Sequence, residues 1–109
     1  MRWLIVLALV GCQSSNVSRR MGARCDQSSE CDQRCLGPDN IFPGGFCTIA
    51  CDHSSDCPDS GSCIDDQGGE CLFHCLDDTD CTFLGDGWRC LARDERNGGG
   101  VKVTVCIGG

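Results

Sequence analysis

Apolar residues are concentrated at the two ends of the chain, and the N-terminal concentration predicts an export signal. Residues 3–10 form an unbroken run of eight apolar residues that follows Met1-Arg2 and leads into polar sequence. A helix of that length covers about 12 Å, which is too short for a hydrocarbon core of about 30 Å. A charged start, a short apolar run and a small residue at its end are typical of a signal peptide.

The C-terminal concentration predicts β-structure. Residues 101–107 alternate strictly, with four apolar residues on one face, which is the period of a half-buried strand. Residues 82–84 and 88–91 flank a short glycine-containing loop and are predicted to form a hairpin. The run Asn97-Gly98-Gly99-Gly100 predicts a second turn. Together these segments predict a three-stranded sheet.

Large apolar residues are scarce before this region, and this scarcity places the expected core. Residues 25–71 hold six of them and residues 72–109 hold eleven. We therefore expect the core in the C-terminal third, with Trp88 packed in it, and covalent stabilisation elsewhere. The predicted fold class is a small disulfide-rich domain with little regular secondary structure. Its short β-strands and hairpins are expected mainly in the C-terminal third.

Cysteine accounts for 13 of the 109 residues, a density that indicates a disulfide scaffold in an oxidising compartment. Twelve of these cysteines lie in three repeats within a predicted domain at residues 25–109. Each repeat opens with a cysteine, five residues and a second cysteine preceded by an acidic residue, and it adds two further cysteines. Four cysteines allow three pairings within each repeat. The openings are CDQSSEC, CDHSSDC and CLDDTDC, and the repeats span residues 25–47, 51–71 and 75–106.

The thirteenth cysteine, Cys12, ends the apolar run in the sequence LVGC at residues 9–12. This sequence resembles the lipobox of bacterial lipoproteins. The resemblance implies a signal peptide at residues 1–11, cleavage after Gly11 and attachment of lipid to the Cys12 sulfur. It also implies a lipid-anchored protein of the cell envelope that faces the periplasm or the cell exterior. The outer membrane is favoured where one exists, because Gln13 rather than Asp follows the cysteine.

Residues 12–24 are expected to comprise the lipidated cysteine and a flexible tether. The sequence from Gln13 onwards is polar and has no periodicity, as is typical of a linker. Arg19, Arg20 and Arg24 lie within it. These arginines either are solvated linker charges or contact anionic lipid, to which each basic residue near the surface contributes about 1 kcal/mol.

The second repeat carries a further resemblance. CDHSSDCP at residues 51–58 resembles the half-motif of whey acidic protein (four-disulfide core) domains, and CDHSSDCPDSGSC is similar to the Dickkopf N-terminal cysteine-rich module. In the whey acidic protein pattern the first cysteine pairs with the third, and the second pairs with a later one. The adjacent cysteine pair of that family is missing here, so the resemblance does not imply the fold of the complete family domain. Carried onto this chain, the resemblance implies the disulfides Cys25–Cys35, Cys31–Cys47, Cys51–Cys63, Cys57–Cys71, Cys75–Cys90 and Cys81–Cys106.

Metal binding receives little support from the cysteine and carboxylate spacing. The closest cysteines have three residues between them, and no Cys-x-x-Cys pair of a zinc site occurs. His53 and His74 are expected at the surface or in turns rather than as ligands. Two groups of acids could attract calcium, but neither matches an EF-hand loop, so solvated turns are favoured and no metal site is predicted. These groups are Asp77, Asp78 and Asp80, and Asp65, Asp66 and Glu70.

Charge and motif content limit the remaining functions. The formal net charge of −7 disfavours nucleic acid as a partner. The chain has no phosphate-binding loop, and its Gly98–Gly100 run precedes a predicted strand rather than a helix. We therefore predict no catalytic residues and no cofactor, and we expect that the protein is not an enzyme.

The sequence thus favours an exported, lipid-anchored lipoprotein that displays a disulfide-stapled binding or structural domain at the bacterial cell envelope. Its expected partners are the membrane, through lipidated Cys12, and an unidentified envelope or extracellular protein. The alternative is a small disulfide-rich protease inhibitor, because a rigid stapled loop lowers the cost of binding. Its best loop candidates are residues 36–46 and 93–100.

Overall fold

A computed structural model of the chain describes residues 17–58 and 61–109. Each repeat contains one 3-10 helix that begins between its first two cysteines, and in the third repeat this helix continues past the second cysteine. One antiparallel hairpin follows each helix. The described part of the chain holds no helix that is long and apolar enough to cross a membrane. In chain order the elements are η1 (Ser28–Glu30), β1 (Arg34–Leu36), β2 (Phe46–Thr48), η2 (Ser54–Asp56), β3 (Gly61–Ile64), β4 (Glu70–Phe73), η3 (Asp78–Leu84), β5 (Trp88–Asp94) and β6 (Lys102–Gly108).

This architecture confirms the predicted fold class. The domain is small, is held by six disulfides and has little regular structure beyond its hairpins. The hairpins of the first two repeats have strands of three or four residues. The longest hairpin pairs β5 with β6 over seven residues in the C-terminal third, with Cys90 directly opposite Cys106.

The predicted strand at residues 82–84 is wrong, because these residues form the end of η3. Local side-chain hydrogen bonds favour the helix there. The Asp77 side chain accepts from the Thr79 amide at 3.1 Å, and the Thr82 hydroxyl donates to the Thr79 carbonyl at 3.0 Å. Such bonds offset the β-propensity of a short apolar run. The third repeat therefore contributes a two-stranded sheet rather than a three-stranded one.

The expectation that the core lies in the C-terminal third is also wrong, because all three repeats contribute to a single core. Phe46, Ile64 and Val105 come from the first, second and third repeats, and they are 0%, 2% and 0% exposed. The Phe46 ring lies 5.9 Å from the Phe73 ring and 5.4 Å from Trp88. Trp88 is buried in the core, as predicted.

The expectation was wrong because the number of large apolar residues in a segment does not determine how many of them are buried. In the C-terminal third Leu76 is 82% exposed, Phe83 50% and Val101 53%. Val101 precedes β6 and is not buried, although the alternation of residues 101–107 places it on the same face as Val105 and Ile107. Val105 and Ile107, farther along the strand, are buried together with Cys106 between them. Both faces of β6 are therefore covered near its end.

Hydrogen bonds between repeats hold the three hairpins together. The Trp88 indole N–H in the third repeat donates to the Pro43 carbonyl in the first at 3.0 Å. The Arg96 amide in the third repeat donates to the Cys63 carbonyl in the second at 2.8 Å. The repeats are therefore parts of one folded unit.

The N-terminal segment from Val17 to Arg24 belongs to the same unit, although a flexible tether was expected there. Met21 is 0% exposed within the core. The Gly22 amide donates to the Cys47 carbonyl at 2.8 Å. Gly22 has a φ of 104°, and a Cβ at this residue would lie 2.8 Å from the Phe73 ring, so only glycine fits. Residues 12–16 of the expected tether lie outside the described residues.

Candidate functional site

The most regular feature of the molecule is its set of disulfides, two in each repeat. In each hairpin the third and fourth cysteines stand directly opposite one another, yet each is bonded to one of the first two cysteines of its repeat. These two cysteines flank the 3-10 helix in the first and second repeats, whereas in the third repeat Cys81 lies within the helix. Two bridges therefore fasten each helix to its hairpin, with Cα–Cα distances from 5.4 to 6.0 Å. The bridges are Cys25–Cys35, Cys31–Cys47, Cys51–Cys63, Cys57–Cys71, Cys75–Cys90 and Cys81–Cys106, the same pairs that the resemblance implies.

The two bridges of each repeat lie close together. In every repeat the sulfur atoms of the first, second and fourth cysteines are all within 4.8 Å of one another. Zinc binds thiolates, whereas these sulfurs are bonded to one another in disulfides. The oxidised domain therefore offers no thiolate set at these three clusters.

The acidic residue before the second cysteine of each repeat has a structural task. Its carboxylate accepts hydrogen bonds from two backbone amides at the start of the 3-10 helix, as Glu30 does from Asp26 at 2.6 Å. Asp56 accepts from the amides of Asp52 and His53 at 3.0 and 3.1 Å. These hydrogen bonds lower the pKa of Asp56 below its ordinary value. The acid of the sequence repeat is thus a helix cap.

A second polar position in the repeat connects the helix to the hairpin. The side chain three residues after the first cysteine accepts a hydrogen bond from the amide of the third cysteine. The three bonds have the same geometry: Ser28 to Cys35 at 3.1 Å, Ser54 to Cys63 at 3.0 Å and Asp78 to Cys90 at 2.8 Å. The sequence reveals the acid of the repeat but not this position, because serine and aspartate share only an acceptor oxygen.

These bonds account for most of the acidic cluster at residues 77–80, which was considered for calcium. Asp78 accepts from Cys90, and Asp80 accepts from the amides of Leu76 and Asp77 at 2.7 and 3.3 Å. The carboxylates are therefore used within the fold. His53 and His74 are exposed, as predicted for surface residues.

The three acids of the second group, Asp65, Asp66 and Glu70, do not form one cluster. In the part of the chain that the structure describes, Asp65, Asp66 and Glu70 do not place three oxygens within 4.8 Å of one another. Asp65 pairs with Arg96 at 3.1 Å. Glu70 instead lies in β4 opposite Ile64 and is 0% exposed.

Glu70 has the most unusual environment of any carboxyl group in the described residues. Neither of its oxygens has a hydrogen-bond partner. Burial, and to a smaller extent the charge of Asp66, raise its pKa to about 7, although Arg34 acts in the opposite direction. Arg34 reaches across from the first repeat and donates to the carbonyls of Gln67 and Gly69 at 3.1 and 2.9 Å. Its Nε atom is also buried without a partner.

The first loop considered for protease inhibition, residues 36–46, is held in place by hydrogen bonds of its backbone. Ile41 is 41% exposed. Its amide donates to the Asp39 carboxylate at 3.0 Å, and its carbonyl accepts from the Gly108 amide at 2.7 Å. Phe42, the next residue, is buried. The loop therefore offers the Ile41 side chain to a partner, while the backbone polar groups of Ile41 are already paired.

The second loop, residues 93–100, is fastened to the second repeat. The Asn97 side chain donates to the Asp52 carbonyl at 2.8 Å. The Ser54 hydroxyl donates to the Glu95 carboxylate at 2.5 Å. The two glycines at its tip have open space around them, since a Cβ on Gly99 or Gly100 would meet nothing within 4 Å.

An apolar cavity of about 230 Å³ lies beside the N-terminal segment. Leu84 at its wall is buried, whereas Phe83 is half exposed and touches the Phe73 ring edge-on at 5.2 Å. The Arg24 guanidinium reaches across to the Leu84 carbonyl at 3.4 Å. The cavity is lined by Val17, Gly22, Arg24, Gly45, Phe83 and Leu84.

Comparison with known proteins finds no matching protein family, no matching curated protein and no matching solved structure. Cys12 lies outside the described residues.

Proposed function

We propose that this chain is a bacterial lipoprotein, anchored through lipid on Cys12, that displays a non-catalytic, disulfide-stapled domain at the cell envelope. Its task is to bind an envelope or extracellular protein, or to serve as a structural part of the envelope. The structure itself shows a small domain with six disulfides. Export, lipidation and the binding task are the proposal.

The observation that carries the proposal is the separation of one cysteine from the other twelve. All twelve cysteines from Cys25 to Cys106 are paired within their own repeats. The pairing leaves Cys12 without a disulfide partner in this chain, at the end of an apolar run in the sequence LVGC. A free thiol in a protein that folds under oxidising conditions can exchange with the disulfides and form non-native pairs. Attachment of lipid to Cys12 removes that thiol.

A displayed, non-catalytic domain also agrees with how the fold uses its polar side chains. The acids and hydroxyls that recur in the repeats accept hydrogen bonds from the backbone of their own repeat. They hold helices and hairpins in position rather than converging on a common point. Two disulfides in each repeat make the surface rigid before any partner arrives, which lowers the entropy cost of binding.

The test is the partitioning of three full-length proteins made in a bacterial host that lipidates exported proteins. The wild type and Gln13→Ala are expected in the membrane fraction and in the detergent phase. Cys12→Ala is expected to lose both properties, because it has no sulfur to accept lipid, while Gln13→Ala leaves that sulfur in place. Equal partitioning of Cys12→Ala and the wild type would overturn the proposal.

A further inference from the structure

One side of the domain combines exposed arginines with an exposed aromatic ring. We define the N-terminal face as Val17, Arg19, Arg20, Arg24 and Phe83. The three arginines are exposed. Phe83 is 50% exposed and lines the apolar cavity together with Val17 and Arg24. Arg24 also lines a neighbouring depression with Arg19, which precedes Arg20 in the chain. Arginine beside an aromatic side chain is a composition found at membrane interfaces.

The distance from Cys12 limits where this face can lie. Because the chain is part of the folded domain from Val17 onwards, only five residue steps separate Cys12 from the domain. Even a fully extended chain spans at most about 18 Å over five steps. A lipid on Cys12 would therefore hold the N-terminal face next to the headgroups and would leave the domain little freedom to move away.

The distribution of charge along the chain favours presenting this face to an anionic surface, and the acids that line a depression with Arg19 and Arg24 are Asp26 and Glu30. Residues 17–24 contain three arginines and no acid, whereas residues 25–109 contain five cationic and sixteen acidic residues. Arg19 lies 3.6 Å from Asp32, but both side chains are more than half exposed, and such a pair is weak. The acidic remainder of the domain would be repelled by anionic headgroups.

We propose that the N-terminal face rests on the anionic phospholipid surface of the membrane that holds the Cys12 lipid. This inference depends on the proposed lipid anchor. The arginines contact headgroup phosphates, which suit the planar guanidinium, and Phe83 enters the interface. The lipid anchor then sets the orientation of the displayed domain, and the surfaces far from this face point away from the membrane.

The test uses the lipidated full-length protein in vesicles that contain brominated phospholipid, which quenches nearby tryptophan. Phe83→Trp places the probe on the N-terminal face, at a side chain that is already half exposed. Val101→Trp is the matched control, because Val101 is 53% exposed and stands just before β6. Cys106, near the other end of β6, is bonded to Cys81 in the helix that holds Phe83, and it lies five residues, about 17 Å along an extended strand, from Val101. Trp88 is buried and gives the same background in both variants.

In vesicles with 30 mol% phosphatidylglycerol, chosen as the probe surface, Phe83→Trp is expected to be quenched and Val101→Trp is not. Arg20→Gln, added to the Phe83→Trp protein, is expected to lower the ratio of quenched to unquenched molecules about fivefold. Lys102→Gln removes one positive charge at the far end of β6 and is expected to leave that ratio unchanged. Zwitterionic vesicles are expected to weaken the quenching of Phe83→Trp.

Intact mass spectrometry and vesicle flotation of the same samples distinguish failure of this inference from failure of the lipid anchor. Protein that floats with lipid mass on Cys12, but whose Phe83→Trp emission is quenched no more than that of Val101→Trp, overturns this inference alone. Protein that carries no lipid mass overturns both the anchor and the inference. Quenching that is equal in anionic and zwitterionic vesicles overturns the role of the arginines.

Discussion

Thr48, which follows the first repeat at the end of β2, and Cys71 in the second repeat exchange two hydrogen bonds. The Thr48 hydroxyl donates to the Cys71 carbonyl at 2.8 Å and accepts from the Cys71 amide at 2.9 Å. Both residues are 0% exposed. A single side chain thus completes the backbone hydrogen bonding of a strand in the neighbouring repeat, at a place where water cannot replace it.

Thr48→Val is therefore expected to lower the free energy of unfolding by about 2–4 kcal/mol, since it leaves a buried amide and a buried carbonyl unpaired. Thr48→Ser keeps the hydroxyl and loses one methyl group, which costs about 1 kcal/mol. Urea unfolding with the disulfides intact measures both variants. If Thr48→Val is as stable as Thr48→Ser, the hydroxyl does not connect the repeats as described.

Glu70 makes the stability of the domain depend on pH. Its pKa in the folded protein is about 7, raised from the ordinary 4.5 by burial. Its contribution is fully present below pH about 4.5, where the carboxyl is neutral in both states, and is lost as pH rises through 7. A shift of this size corresponds to about 3 kcal/mol between those limits.

Glu70→Gln is expected to remove that part of the pH dependence, because the amide does not ionise. The difference in unfolding free energy between Glu70→Gln and the wild type should therefore grow from pH 5 to pH 8, in favour of the variant. Asp86→Asn, at an exposed acid, controls for the loss of one charge. A difference that stays constant over this pH range would show that Glu70 titrates as an ordinary carboxyl group.

Asp78 tests the shared role of the position three residues after the first cysteine of each repeat. Asp78→Ala is expected to cost about 1 kcal/mol of stability, because the Cys90 amide loses its acceptor. Asp78→Ser is the matched control, since the other two repeats carry serine there, with the same bond to the third cysteine. Thermal unfolding of both variants decides the point, and equal losses would contradict the role assigned to the side-chain oxygen.

The three repeats are expected to unfold together, because their hairpins share one core and exchange hydrogen bonds. Trp88→Phe removes the indole donor to Pro43 and should lower stability by about 1 kcal/mol, with a single transition retained. Far-ultraviolet circular dichroism and tryptophan fluorescence of the wild type, followed in the same denaturant series, should give coincident curves. Separate transitions would mean that the repeats are independent units.

The disulfide scaffold and the hairpin fold class could be predicted because cysteine density and turn residues are local signals, whereas the pairing of the cysteines was implied only by the resemblance. The acid before each second cysteine was visible in the sequence as a repeated position, although its individual hydrogen-bond partners were not. The helix at residues 82–84 was missed because bonds from Asp77 and Thr82 outweigh the apolar run. The burial of Glu70 was equally hidden, because it depends on how β4 packs within the domain rather than on its neighbours in sequence.

The candidate surface was only partly visible in the sequence. The three arginines could be found, but residues 17–24 were interpreted as a polar linker because they contain only three apolar residues, Val17, Met21 and Ala23. Their packing depends on backbone bonds to Cys47 and on space beside Phe73 that glycine alone leaves open. Phe83 was assigned to a strand, so its exposure beside Val17 could not be anticipated.

The most direct test of the account is the intact mass of the membrane-extracted protein, measured without reduction and after treatment with a thiol alkylating reagent. The account predicts a chain that begins at Cys12, carries added lipid mass and takes up no reagent. A chain that still begins at Met1, or one that is alkylated at many cysteines, would contradict the anchored and fully oxidised protein described above.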